Sequence, residues 1–444
     1  MTYEEIVALL GYAGGHEQKV RITTTDRTEV IGIPMSVDTH VTAHEVYLRP
    51  AGSDDTEIAV SLGEPTSELR VAPQALSDAL VALDPAVREA LELAKANLEA
   101  VSTAEAQAAG APVVTELPQG QRVELVSSPV ASAGLYAPGG RAPLASSLLM
   151  CAVPALVAGV DRIAVASPPG PQGIPAPTVL AVCALCGLDE VYAIGGAQAV
   201  AALALGTESI DPVDVVTGPG NRYVQEAKRA LYGSVGLDSI AGPSELVVIA
   251  DAGADPGLVA LDVGAQAEHG DDGPLVVIST DRALCDEVGK RATALAEASP
   301  SIADALLTLV LAPAIGPALE LSDALAPEHL ELACADAAAG ARERIAGAIF
   351  LGAGAATAFG DYAAGSNHVM PTGGSARFSG PLGVGAYLRR SSLVSLPAGA
   401  AAALAESVEA LARAEGLPVH ASSARARAAA PEASASGRSS QRLT

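Results

Sequence analysis

Three short runs, RIAVAS at 162–167, EVYAI at 190–194 and VDVVT at 213–217, decide the reading of the fold. Each is rich in β-branched residues, and Gly or Pro follows it directly. A helical stretch comes next each time, at 176–188, 197–205 and 221–231. Strand, turn and helix, three times over, is the signature of βαβ units on a parallel sheet. A second series follows, with strands expected at 245–250 and 275–279. The sequence therefore predicts an α/β protein with two Rossmann-like, incomplete α/β domains.

Working outward, residues 20–33 and 46–62 alternate in short β-branched runs, with turn signals at 50–55. They predict a β-rich N-terminal unit over 1–67. From Ala72 the texture changes. Leu76, Leu80, Leu83, Val87, Leu91, Ala94 and Leu98 recur at helical spacing, and Pro85 directly after Asp84 divides the stretch into two helices. The expected division assigns 68–140 with 244–385 to a first α/β domain and 141–243 to a second. A small C-terminal helical segment follows over 386–420. Residues 421–444 are mostly Ala, Ser and Arg, with almost nothing to bury, and read as a disordered tail.

Composition narrows the function classes. A chain of 444 residues, half of them hydrophobic and 17% charged, can bury a real core and is not wholesale disordered. Its 26 Lys and Arg against 51 Asp and Glu leave a net charge of −25, which argues against nucleic acid or an anionic membrane as partner. The uncharged run at 142–160 is about the length that crosses a ~30 Å bilayer core. Pro143 and Pro154 interrupt it and Arg141 and Asp161 flank it, so it reads as buried α/β structure. Glu4 and Glu5 open the chain unlike a secretory signal. Five Cys is an odd, low count, and Cys183 and Cys186 sit in an apolar helical stretch as core packing. The cytoplasm is the expected compartment.

The histidines carry the chemistry. Asp255-Pro256 starts a helix and Gly270 stops it, which places Gln266 and His269 on one face of the final turn. An amide oxygen beside an imidazole could bind a borderline metal such as zinc. A helix end whose imidazolium complements the dipole is the competing reading. Glu328-His329 puts a carboxylate next to an imidazole, two proton-transfer groups whose tasks environment can separate, or else a solvated loop pair. Asp361, in a Gly-rich stretch, and His420, after Glu415, are of the right type to complete a ligand set. Taken singly, Asp361, His368 and His420 read as loop or surface residues. Two apparent motifs are weak. Gly352-Ala353-Gly354 follows an expected strand at 348–351, but Thr357 stands where a dinucleotide fingerprint needs its third glycine. His40 and His44 have i, i+4 spacing but lie in an alternating β-like run with no second pair.

Together the segments resemble histidinol dehydrogenases. The resemblance is carried by Gly134-Leu135-Tyr136-Ala137-Pro138-Gly139-Gly140, Gly195-Gly196-Ala197-Gln198-Ala199-Val200, Gly218-Pro219-Gly220-Asn221 and Ala241-Gly242-Pro243-Ser244-Glu245. It continues through 266–269, 326–329 and 360–368, and it covers about 68–420 in order. It implies oxidation of L-histidinol to L-histidine through histidinal, with two NAD⁺ and one zinc per site. By position it implies Gln266, His269, Asp361 and His420 as zinc ligands, and Tyr136, Gln198 and Asn221 on the NAD side. Ser244, Gln266, His269, His329, Asp361, Glu415 and His420 become substrate contacts, with Glu328 and His329 the acid–base pair. It also implies a homodimer in which Glu415 and His420 complete the partner's site.

Residues 1–67 depart from that pattern, since they lack the family's helical N-terminal character. Other readings remain. A paralogue acting on another amino or sulfonated alcohol would not need Glu415 and His420. A zinc hydrolase would leave the Tyr136, Gln198 and Asn221 segments without a role. A catalytically silent binding protein would be expected to have lost a site residue, and none is missing.

Overall fold

The computed structural model describes residues 69–139, 143–270, 273–302, 304–336 and 338–429, together with four earlier strands. These are β1 (Val20–Thr23), β2 (Glu29–Asp38), β3 (Glu45–Pro50) and β4 (Ile58–Ser61), paired antiparallel in chain order with a register shift between Pro34 and Ser36. The expected β-rich unit is thus strand-built, whereas His40 and His44 lie outside the described residues. The chain divides into two units, 1–106 with 130–387 and 107–129 with 388–444.

Helices α1 (Pro73–Ala82) and α2 (Pro85–Gly110) follow, and the last turn of α2 belongs to the second unit. Asp84 accepts from the backbone N–H groups of Ala86 and Val87, so the break at Pro85 is also a cap. Strands β5 (Val113–Glu116) and β6 (Arg122–Pro129) then open the second unit.

The first unit holds two five-stranded parallel sheets. One contains β7 (Ser132–Tyr136), β8 (Arg162–Ser167), β9 (Glu190–Ala193), β10 (Val215–Thr217) and β11 (Gly236–Leu237), in the order β11-β10-β7-β8-β9. Its helices are α3 (Ala145–Ala158), α4 (Pro177–Cys186), α5 (Gly196–Leu205) and α6 (Arg222–Leu231). The other contains β12 (Leu246–Ala250), β13 (Leu275–Ser279), β14 (Leu307–Leu311), β15 (His329–Ala333) and β16 (Ala348–Leu351), in the order β14-β13-β12-β15-β16. It carries α7 (Pro256–Ala267), α8 (Arg282–Ala298), α9 (Ile315–Leu325) and the short α10 (Thr357–Tyr362).

β7, β12, β13 and β15 are buried along their whole length, as strands covered on both faces are; β12 is wholly apolar, whereas β15 also buries His329 and Glu331. Both sheets reverse strand order beside their first strand, between β7 and β10 and between β12 and β15. Such switch points are where α/β sheets open crevices. The apolar run at 142–160 becomes the 14-residue α3, and among the described residues no helix is long and apolar enough to cross a membrane. Gly159, at φ 85°, ends it in the left-handed conformation that glycine adopts without strain.

The sequence-based division departs from the sheets in two places. A boundary at 140/141 would separate β7 from β8 and β10, with which it pairs in parallel register. β6 belongs with β17 (Leu388–Ser395), its antiparallel partner over eight residue pairs, so the C-terminal segment is partly sheet. Strand pairing between distant segments leaves no local periodicity to read.

The tail needs correction too. After α11 (Ala398–Ala414), helix α12 runs over Pro418–Ala428, so residues 421–428 are ordered helix. Pro at the first helical turn and a run of Ala and Arg favour it, Ala421 is buried, and the Arg425 guanidinium pairs with Glu409 on α11. Apolar content alone misjudges a helix docked by small residues and an ion pair.

Candidate active site

The residues expected as the acid–base pair stand at the amino end of β15, beside the amino end of β12. β12 and β15 pair with Leu246 opposite His329, which brings Ser244-Glu245 against Glu328-His329. The contact is reciprocal. The Glu328 carboxylate accepts from the Glu245 N–H at 2.9 Å and from the Ser244 hydroxyl, while Glu245 Oε2 accepts from the Glu328 N–H at 3.2 Å. Glu245 Oε1 accepts from Gly373 N at 2.9 Å. Both carboxylates are buried, and burial raises the pKa of Glu245 even though these two N–H groups act to lower it.

His329 is 2% exposed. Its Nδ1 lies 2.9 Å from the Glu245 carbonyl oxygen, which can only accept, so Nδ1 carries a proton, while Nε2 has no hydrogen-bond partner. Nε2 faces Asp361 Oδ1 at 3.6 Å, a charge contact longer than a hydrogen bond. Burial opposes charge on the ring, but Asp361 and Glu328 outweigh it and raise the pKa to about 10. The Asp361 carboxyl is pulled below its ordinary range, His329 overcoming the effect of burial. Phe350 stacks on the imidazole with centroids 6.0 Å apart. Gly360 makes room for it, since a Cβ there would meet the Phe350 ring at 2.6 Å.

Gln266 comes from the last turn of α7, whose N-cap is Asp255 as the sequence predicts. Its Nε2 donates to Ser244 Oγ at 2.7 Å, leaving Oε1 buried with no partner. An orphaned buried amide oxygen costs roughly 1–3 kcal/mol and invites a ligand. His269, exposed just past the helix, contributes to lowering the Asp361 pKa. His368 acts as a support: Nδ1 donates to the Asp361 carbonyl at 2.7 Å and Nε2 accepts from Ser147 Oγ at 2.9 Å. The first unit thus gathers Ser244, Gln266, Glu328, His329 and Asp361. Glu415, which caps α11, and His420, in a groove of the second unit beside Leu404, Val408 and Val419, belong to the other unit.

The residues expected on the NAD side mark the carboxyl ends of the first sheet. Tyr136 ends β7, and its hydroxyl accepts from Gly196 N at 3.1 Å. Gln198 sits in the first turn of α5 with both amide atoms buried and unpartnered. Asn221 follows β10 and caps α6, accepting from Tyr223 N and Val224 N at 3.1 Å each. β7 and β10 flank the switch point, so a crevice there has Tyr136 on one side and Asn221 on the other.

The histidinol dehydrogenase family profile matches residues 56–428. The chain belongs to the histidinol dehydrogenase family. The histidinol dehydrogenase of Streptomyces avermitilis is 45% identical over 370 residues, covering 81% of this chain and 83% of the relative. That of Rhodospirillum rubrum is 45% identical over 367 residues, covering 81% and 84%. A crystal structure of the Elizabethkingia anophelis histidinol dehydrogenase superposes with a TM-score of 0.78 at 30% identity, over 81% of this chain and 84% of that one. As a member of the histidinol dehydrogenase family the chain is an NAD-linked oxidoreductase.

Zinc dependence follows from the family, and the orphaned Gln266 Oε1 is a donor of the right kind left open. Among the described residues no three His, Cys, Asp or Glu side chains stand close enough together to hold a metal. Of the four ligands that the resemblance implies, the first unit holds His269, Asp361 and Gln266, and the second unit holds His420. Glu245 and Phe350 are site residues to which the sequence alone assigns no role. An acidic residue just before a wholly apolar strand, and one of only three Phe in the chain, were the available signals.

Proposed function

We propose that the chain oxidises L-histidinol to L-histidine at this site in two successive steps, through enclosed histidinal. The observation that carries the reading is the Glu245–Glu328–Ser244–Gln266 network, in which one hydroxyl joins a buried carboxylate to the amide that holds the orphaned oxygen, with the His329 imidazole 3.4 Å from that carboxylate.

In the first step His329 Nε2 takes the hydroxyl proton as hydride leaves the carbinol carbon. In the second, Glu328 takes a proton from water as its oxygen adds to the aldehyde, and the hydrate loses its hydride with His329 again holding the released proton. Asp361 keeps the imidazole aligned from one side and the Glu245 carbonyl from the other. Zinc, bound through Gln266, His269, Asp361 and His420, would hold the substrate's amine and imidazole and take up the Asp361 charge that otherwise keeps a proton on His329. NAD⁺ supplies the hydride acceptor, on the side of Tyr136, Gln198 and Asn221.

Two domain roles accompany this proposal: the sheet containing β12 serves zinc and substrate, and the sheet containing β7 serves the nucleotide. The chain works as a homodimer whose Glu415 and His420 complete the partner's site, and we place it in the cytoplasm. The product separates this reading from its rival. L-histidinol with NAD⁺ should give L-histidine by chiral chromatography, with sulfonated and other amino alcohols turned over far more slowly. Preferred turnover of an alcohol lacking imidazole would transfer the chain to the paralogue reading.

A further inference from the structure

Below the nucleotide crevice lies an ion pair that is almost wholly buried. Lys228 on α6 and Asp238 just after β11 have side chains 1% and 3% exposed, with Nζ and Oδ1 2.7 Å apart. Both also grip one residue, Gly218. Lys228 Nζ donates to the Gly218 carbonyl at 2.5 Å, and Asp238 Oδ2 accepts from the Gly218 N–H at 2.8 Å. An ion pair removed from water is poor value for stability alone, because two apolar side chains of similar size hold a core as well or better. The pair needs another reason.

Gly218 supplies one. It sits at φ 119°, and a Cβ there would meet the Tyr136 carbonyl oxygen at 2.1 Å, so the loop leaving β10 passes directly against the end of β7. Pro219 follows, with fixed φ and no N–H, so the attitude of Gly218 is passed on to Gly220 and Asn221. The same helix steadies the next loop. Gln225, one turn before Lys228, accepts from Ala241 N at 2.8 Å, three residues before Ser244. Beneath, the Tyr387 hydroxyl bonds Thr217 Oγ1 at 2.8 Å and donates to the Cys151 carbonyl at 2.9 Å.

We propose that Lys228 and Asp238 are positioning residues for the nucleotide, clamping both sides of Gly218 so that the 218–221 loop is held in its NAD-receiving form. This rests on the assignment of that crevice to NAD. The test must separate a clamp from a fold support. Lys228→Met/Asp238→Leu removes both charges together and leaves no buried ion unpaired, so it should still fold, with a melting temperature lowered only by the Gly218 N–H and carbonyl left without partners. Two charge-assisted hydrogen bonds to Gly218 are lost with it. Its KM for NAD⁺ and its Kd for NADH, read by fluorescence titration, should rise at least about tenfold. The KM for histidinol and the zinc content should not change, and kcat at saturating NAD⁺ should fall less than about threefold. Asp238→Asn, nearly isosteric, should show the same split. Parent-like NADH affinity in either folded variant overturns the clamp, as does an equal rise in both KM values. A parent enzyme that fails to bind NADH overturns the nucleotide assignment and the clamp with it.

Discussion

Glu328→Gln should oxidise histidinal on the order of 10²-fold more slowly than the parent, while losing less on the histidinol-to-histidinal step. Glutamine keeps the shape of the side chain and an oxygen that can still accept from Glu245 N and Ser244 Oγ, so the local geometry survives the loss of charge. Only the aldehyde step consumes a water, and only that step needs a carboxylate to deprotonate it. His329→Ala should slow both steps by 10²-fold to 10⁴-fold, because each releases a proton that Nε2 is placed to take. The imidazole is stacked on Phe350 and fully enclosed, so its melting temperature should be measured alongside. Supplying histidinal directly separates the steps. Equal losses on alcohol and aldehyde for Glu328→Gln would contradict the division of labour.

His269→Ala and His420→Ala should each lose bound zinc and nearly all activity, yet regain activity when co-refolded together. The two histidines lie in different units of the chain, one just past α7 and one on α12. If His420 completes the partner's site, a hybrid dimer carries one site with both lesions and one with neither. Half the dimers in an equal mixture are hybrids, so about a quarter of all sites should be intact, in both zinc content and turnover. A mixture that forms hybrid dimers and stays inactive would assign His420 to its own chain.

Much of this was legible in the sequence, for physical reasons that differ from element to element. The runs at 162–167, 190–194 and 213–217 became β8, β9 and β10 because each is bounded by Gly or Pro and followed by a helix with a start signal. Asp255-Pro256 reads as a helix start and is one, since a side-chain acceptor and a missing N–H both suit that position. Glu328 and His329 became a site only through strand pairing. The carboxylate meets Ser244 and Glu245 across a sheet register that no local pattern encodes.

The same limit hid the pairing of β17 with β6, which joins residues far apart in the chain, and the Lys228–Asp238 pair, whose partners come from different elements; the β5–β6 hairpin is local and was not hidden in this way. Tyr136, Gln198 and Asn221 were named through resemblance. What the fold adds is their common place at the carboxyl ends of one sheet, around its switch point.

The central claim is that one site performs both oxidations in succession, so the most direct measurement is the amount of NADH formed per L-histidinol consumed by the purified, zinc-loaded protein. Two NADH for each histidinol, with histidine as product and no histidinal accumulating, is the predicted result. One NADH, with the aldehyde released to solution, would contradict it.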